Sequence, residues 1–206
     1  MQQFITVGAI IAFAGAASGQ VFTSQAAFDA ALANSFSEDF SGNTFGGSED
    51  FWSGNGFSIS ASAVASPTDG ALGTQTLFND VGILSLNSAS DALVLDFGGP
   101  VQAFGGNIFA SDINFAAVPG FSLTFSFSDG SSETIITSSA NDFFGYANAA
   151  GITSVLIDAP DAADPFGGVT PNWPAASAVT VGTLVPAPGA MAVLGLGGLA
   201  AARRRR

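Results

Sequence analysis

The sequence predicts an all-β protein, an antiparallel β-sandwich of jelly-roll type with one short N-terminal helix, set between two hydrophobic terminal segments. Three observations predict it. Phe121 to Ser128 alternates four large apolar residues with four hydroxyls, the period-two pattern of a strand with one buried and one wet face. Asp129-Gly130 follows at once and suits a tight turn with positive φ, after which Glu133 to Thr137 supplies a return strand. Helix signals largely disappear after residue 32, while glycine, serine and asparagine punctuate the chain. A closed barrel is the other architecture that such a strand set allows.

Taken in order, Met1 to Gln20 reads as a secretory signal peptide. Phe4 to Ala17 is an uncharged, mostly apolar run, too short for an ordinary membrane span, and Ala17-Ser18-Gly19 supplies a small-residue cleavage pattern. The mature chain is therefore expected to begin at Gln20 or Val21. Met1-Gln2-Gln3 carries no basic side chain, and a buried N-terminal helix is the competing reading. Thr23-Ser24 then caps a short helix over Gln25 to Leu32, where Phe28 and Leu32 form an i, i+4 apolar pair.

Strands are expected at Phe57 to Ala63, Leu72 to Phe78, Gly82 to Leu86, Leu93 to Phe97 and Val101 to Phe109. Further strands follow at Phe121 to Ser128, Glu133 to Thr137, Ile152 to Ile157 and Val179 to Leu184. Phe-Gly-Gly recurs at Phe45, Phe97, Phe104 and Phe166, at unequal intervals that exclude a repeat array. Its glycines are expected to mark bends or bulges beside buried rings. Twenty phenylalanines against one tyrosine and two tryptophans suit a core of rings without hydroxyls to satisfy. Residues 21–184 make one domain.

Charge is distributed unevenly. All four basic residues are Arg203 to Arg206, no lysine occurs, and the sixteen acids lie between Asp29 and Asp164. Without the arginines the formal charge goes from −12 to −16, because four positive charges leave. Such a body offers nothing to phosphate, which argues against a nucleic-acid partner, and nothing to anionic lipid. It favours solubility and attracts cations. The absence of cysteine and histidine excludes disulfides, thiolate catalysis, Cys/His zinc sites, the Ser-His-Asp triad and imidazole bases.

At the other end, Val185-Pro186-Ala187-Pro188-Gly189 is a stiff extended segment in which both prolines disfavour helix. Gly189 to Ala202 is uncharged, and Arg203, Arg204, Arg205 and Arg206 close the chain. As a helix the apolar run would be about 21 Å long, against roughly 30 Å of hydrocarbon, so it spans only with snorkelling arginines or local thinning. Terminal arginines keep the C-terminus cytoplasmic and the domain outside. This order resembles the PEP-CTERM sorting signal, in which a Pro-Glu-Pro-like motif precedes a short apolar helix and an arginine cluster. The resemblance covers residues 185–206, and Ala187 stands where the family has glutamate. It implies recognition by an exosortase-type sorting enzyme, with Val185 to Gly189 as the sorting motif and Arg203 to Arg206 as the stop-transfer end. Display on the envelope or release into extracellular matrix would follow. A plain membrane anchor that is never cut is the alternative.

Three kinds of chemistry are conceivable for the body. A glycosidase needs two closely placed carboxylates, for which Glu38, Asp39, Glu49, Asp50 and Glu133 are candidates, but no basic residue is at hand to orient a substrate. Calcium wants carboxylate and carbonyl oxygens in loops, and Asp158, Asp161 and Asp164 offer one such group; no EF-hand pattern is present, and a solvated loop is the competing reading. Extracellular polysaccharide could stack on Trp52, Tyr146 or Trp173, the last held in Pro171-Asn172-Trp173-Pro174, unless those rings close the core. The leading expectation is a non-catalytic structural or adhesive module of the envelope or matrix, without a cofactor. A carbohydrate-binding module comes second and a glycan-active enzyme third.

Overall fold

The structure is a computed structural model that describes residues 19–41, 45–47, 49–69, 73–80, 82–160 and 172–186. It is an antiparallel all-β fold with one short helix. In chain order it contains β1 (Gln20–Phe22), α1 (Gln25–Ala31), β2 (Leu32–Glu38), β3 (Phe45–Gly47), β4 (Glu49–Gly54), β5 (Phe57–Ala65) and β6 (Leu77–Asp80). Then come β7 (Ile83–Leu86), β8 (Asp91–Ser111), β9 (Phe121–Phe127), β10 (Ser132–Thr137), β11 (Phe143–Asp158) and β12 (Trp173–Leu184).

Two long strands organise everything else. β8 and β11 pair along most of their lengths, but the register shifts twice, between Ala147 and Ile152 and between Ile152 and Ser154. Both strands bend there. Gly98 and Gly151 take φ of 64° and 87°, a region glycine enters without a Cβ penalty. A Cβ on Gly151 would also meet Pro100, so the two bends nest against each other.

The bends divide the sheet. On one side β4, β5, the first part of β8, the last part of β11, β9 and β10 lie side by side. On the other, β1, the first part of β11, the second part of β8 and β12 do so, and β12 continues to β2 and to β7, β6 and β3. The halves face each other in a sandwich-like arrangement across a single large apolar cluster. Its rings bridge the halves: Phe104 to Phe127, Phe125 on Phe144 at 4.1 Å between centroids, and Phe127 on Tyr146 at 4.0 Å. Each such pair adds about 1 kcal/mol beyond the area it buries.

The back of the second half is covered differently. Ser24 caps α1 by accepting from Ala27 N–H, and Phe28 is the helix's fully buried residue. Its ring sits on Gly105 and Gly145, which are register partners; a Cβ on either would approach that ring within about 3 Å. Phe22, Ala103 and Ala147 complete this small second cluster, with Leu32 and Leu184 at its margin.

The sequence-based strands and the helix are present, with instructive differences. Leu93 to Phe97 and Val101 to Phe109 are one bent strand, in which Gly98 and Gly99 turn the chain and pairing with β11 resumes at Val101. Of Leu72 to Phe78, Leu77 and Phe78 are strand and Leu72 lies outside the described residues: residues 73–76 form no regular structure, Gln75 takes φ of 49°, and its N–H donates to Asp91 Oδ2. Four short strands, β1 to β4, carry too little alternation to be seen in advance. Of Pro171 to Pro174, expected as a rigid loop, Trp173 and Pro174 instead open β12, and Pro174 O accepts from Ser85 Oγ; Pro171 lies outside the described residues. The Phe-Gly-Gly at Phe97 marks a bend, whereas at Phe104 it gives close packing within a strand.

Both ends of the described domain leave in one direction. Gln20, Ala147, Ala103 and Gly182 lie in one row across four neighbouring strands. From Phe22 back to Gln20, and from Gly182 on to Leu184, the chain travels toward the bends. Three strand spacings separate the two, about 14 Å.

Candidate functional site

The aromatic residues considered for sugar stacking are all inside. Trp52 is 6% exposed and meets Phe40 edge-on at 4.9 Å; Trp173 is 6% exposed; Tyr146 is 1% exposed. None presents a face to solvent, so stacking of a pyranose on Trp52, Tyr146 or Trp173 is not what this geometry offers. The physical reason is common to the three. Each lies on an inner face of the sheet, where burying so large a ring outweighs leaving a polar tip at the edge. The indole N–H groups of Trp52 and Trp173 have no partner.

Of the proposed calcium group, Asp161 and Asp164 lie outside the described residues. Asp158, which is buried, accepts from Thr68 Oγ1 at 2.6 Å through Oδ2, and its Oδ1 has no partner. Among the described residues no three acidic side chains gather into a cation-holding group. Three of the glycosidase candidates are engaged in local backbone bonds: Glu38 accepts from Phe40 N–H, Asp39 from Ser41 N–H, and Asp50 from Phe51 N–H; the Glu49 side chain lies outside what is described. Glu133 sits across from Phe125 in β10. From the sorting motif, Val185 and Pro186 are described and exposed; Val185 N–H donates to Ala31 O, fastening the exit of β12 to the end of α1. Ala187, Pro188, Gly189 and Arg203 to Arg206 lie outside the described residues, as does the leader before Gly19. Among the described residues no helix is long and apolar enough to cross a membrane.

The best-built polar cluster is one that sequence reading passed over. In the turn between β9 and β10, Asp129 Oδ2 accepts from Tyr146 hydroxyl at 2.8 Å and from Asn148 Nδ2 at 2.6 Å. Its Oδ1 accepts from Ser131 N–H at 2.9 Å and from Ser131 Oγ at 2.5 Å, and that hydroxyl sits 2.8 Å from the tyrosine oxygen. Partial burial would raise the Asp129 carboxyl, but the Ser131, Asn148 and Tyr146 donors prevail and hold it at about 2. The Tyr146 hydroxyl is pushed above its ordinary value by burial and by the Asp129 charge. Asp-Gly announced the turn; that Tyr146 and Asn148, two apart in a strand, face the same side was the available clue.

Elsewhere the described carboxylates are set by local contacts. Asp91, 1% exposed at the far end of β8, is raised by desolvation against the N–H of Gln75. Asp142 is lowered, chiefly by Ser138 N–H, together with the hydroxyls of Ser138 and Ser139. A shallow cleft of about 150 Å³ lies beside the bend, lined by Phe57, Ser58, Gly98 and Pro100 among others. It is too small for more than a fragment of a ligand.

Comparison with protein-family models, with curated proteins and with solved structures returns no match.

Proposed function

We propose that this is an exported protein of the cell envelope or extracellular matrix, whose all-β domain, a sandwich of jelly-roll type, is a structural or adhesive module. Its tail is handed to an exosortase-type sorting enzyme while it is still anchored. What carries the reading is the direction of the two ends. The residues that follow the leader and those that precede the tail leave the domain three strand spacings apart, pointing the same way. A domain tethered to one bilayer at both ends before processing needs that arrangement.

Charge supports it. Asp91, Asp112, Asp142 and Asp158 sit at the strand ends and loops opposite the bends, as do Asp39 and Asp69, against Asp96 and Asp129 beside them. An acidic body facing an anionic surface gains from holding these charges away from it. The module is read as non-catalytic because residues 20–202 hold no cationic side chain to orient a substrate or stabilise an oxyanion.

Deletion of Arg203 to Arg206 tests the proposal: membrane retention and the mass of the C-terminus should both change. Unchanged fractionation with an unchanged C-terminal mass would count against the tail's role. Carbohydrate binding remains a second reading on one observation. The outer face over β5, β9 and β10 is uncovered and carries Ser60, Ser62, Thr124, Ser126, Ser132 and Thr134, hydroxyls suited to a neutral glycan. A glycan array on the exported protein, with and without calcium, tests it; no retention on any glycan removes it.

A further inference from the structure

We infer that Asp129, with Tyr146 and Asn148, is a binding site for a primary ammonium, and that its ligand is the chain's own N-terminus, created when the leader is cut after Gly19. The inference rests on the export reading and goes beyond it.

Two independent facts meet here. The first is compositional. Lysine and histidine are absent and the arginines are confined to 203–206, so residues 20–202 contain no cationic side chain. Cutting the leader makes an α-ammonium, the one cation the processed domain then has near its fold. The second is geometric. β1 runs antiparallel to β11 with Gln20 opposite Ala147 and Val21 opposite Tyr146. Gly19 therefore lies against the tyrosine: a Cβ built on it would fall 2.1 Å from the hydroxyl oxygen. By ordinary covalent geometry the nitrogen of Gln20 is then within about 6 Å of that hydroxyl. The hydroxyl is itself 2.8 Å from Asp129 Oδ2.

Scission of the Gly19–Gln20 peptide bond by water leaves the carboxylate on departing Gly19 and the amine on Gln20. Departure of Gly19 vacates the space beside Tyr146, and the amine, protonated, brings three donors to it. The carboxylate it meets is ionised throughout the neutral range, because four hydrogen bonds already hold it low. Tyr146 is the other titratable group in that cluster, and α1, packed beside β1, contributes Asp29, which is exposed. No side chain other than glycine's fits at position 19 without moving the tyrosine. The cleavage residue and the site are thus matched.

The absence of lysine makes the test clean, since the α-amine is the sole primary amine in the chain. The full chain is produced in a secreting host, its N-terminus is fixed by intact mass, and the rate of acylation by an amine-selective ester is followed against pH. A nearby carboxylate raises the midpoint of an ammonium, here by about one unit, so the parent should react about tenfold more slowly at pH 7 than Asp129→Asn. Tyr146→Phe, which keeps the ring stack, should fall between them, and serves if Asp129→Asn does not fold. Asp142→Asn, at the opposite end, should match the parent. Free Gln20 should also resist cyclisation to pyroglutamate longer in the parent, since that reaction needs the neutral amine. A mature chain beginning at Gln20 whose amine titrates identically in parent and variants overturns the ammonium site and leaves export standing. A chain that begins at Met1 overturns both, and one that begins elsewhere overturns the site.

Discussion

The two ends of the domain use acidic residues to opposite effect. Beside the bends, Asp129 is held ionised by donors that converge on it from Ser131, Tyr146 and Asn148, in a turn open to water. At the far end Asp91 is almost completely buried, has one oxygen without a partner, and is pushed toward its neutral form. At Asp129 the donors together outweigh desolvation; at Asp91 desolvation outweighs the donors from Gln75, Thr74 and Thr76. Burial alone does not decide the charge state of an acid. The balance between desolvation and the strength of the converging N–H and O–H groups does.

The largest effect should separate the strand interior from the bend. Gly106→Ala puts a Cβ 2.2 Å from the carbonyl oxygen of Ala178, which is backbone and cannot swing aside, whereas a Cβ on Gly99 meets nothing within 4 Å. We expect the first to cost more than about 3 kcal/mol in chemical denaturation and the second less than about 1 kcal/mol. Equal costs would mean that the bend is as tightly packed as the strand. Phe28→Ala should follow, at about 3 kcal/mol, because it empties the groove over Gly105 and Gly145 and loosens the cover beside both chain ends.

Smaller effects come from acid, and they should have opposite signs at the two ends. Asp129 is depressed in the folded state, so its contribution is present above its unfolded pKa near 3.8 and is lost as pH falls through about 2. Screening at the open turn limits it to about 1 kcal/mol. Asp91 is raised in the folded state, so the protein gains stability as pH falls through that raised value toward 3.8. Unfolding followed from pH 7 to pH 2 should therefore show a rise and then a fall, with the fall smaller in Asp129→Asn, where the lowered Asp142 and Asp39 still contribute. A monotonic loss in both proteins contradicts the assignment. Smallest of all, Asp91→Asn should stabilise at pH 7 by under about 1 kcal/mol, since the amide oxygen can still accept from Gln75 N–H while the charge is gone.

Much of this was legible in the residues and some was not, for identifiable reasons. Phe121 to Phe127 announced itself because β9 has one buried and one wet face, so its chemistry alternates. β2, with Leu32, Phe36 and interspersed serines, starts directly where α1 ends and takes its register from β12, which no local pattern reports. The tripeptide Phe-Gly-Gly looked like one signal and is two, since glycine serves both a positive φ at Gly98 and the close approach of Phe28 at Gly105. Chemistry alone makes an indole a candidate ligand platform. The burial of both tryptophans depended on which sheet face they occupied, and for Trp173 on a strand that begins through a proline.

The account turns on where the domain resides and how its first residue is made. Fractionation of the natural host, with intact mass of the protein recovered from each compartment, tests both together. The account predicts a chain that begins at Gln20, found in the envelope or outside the cell. Recovery of the complete chain, Met1 to Arg206, from the cytosol would contradict it.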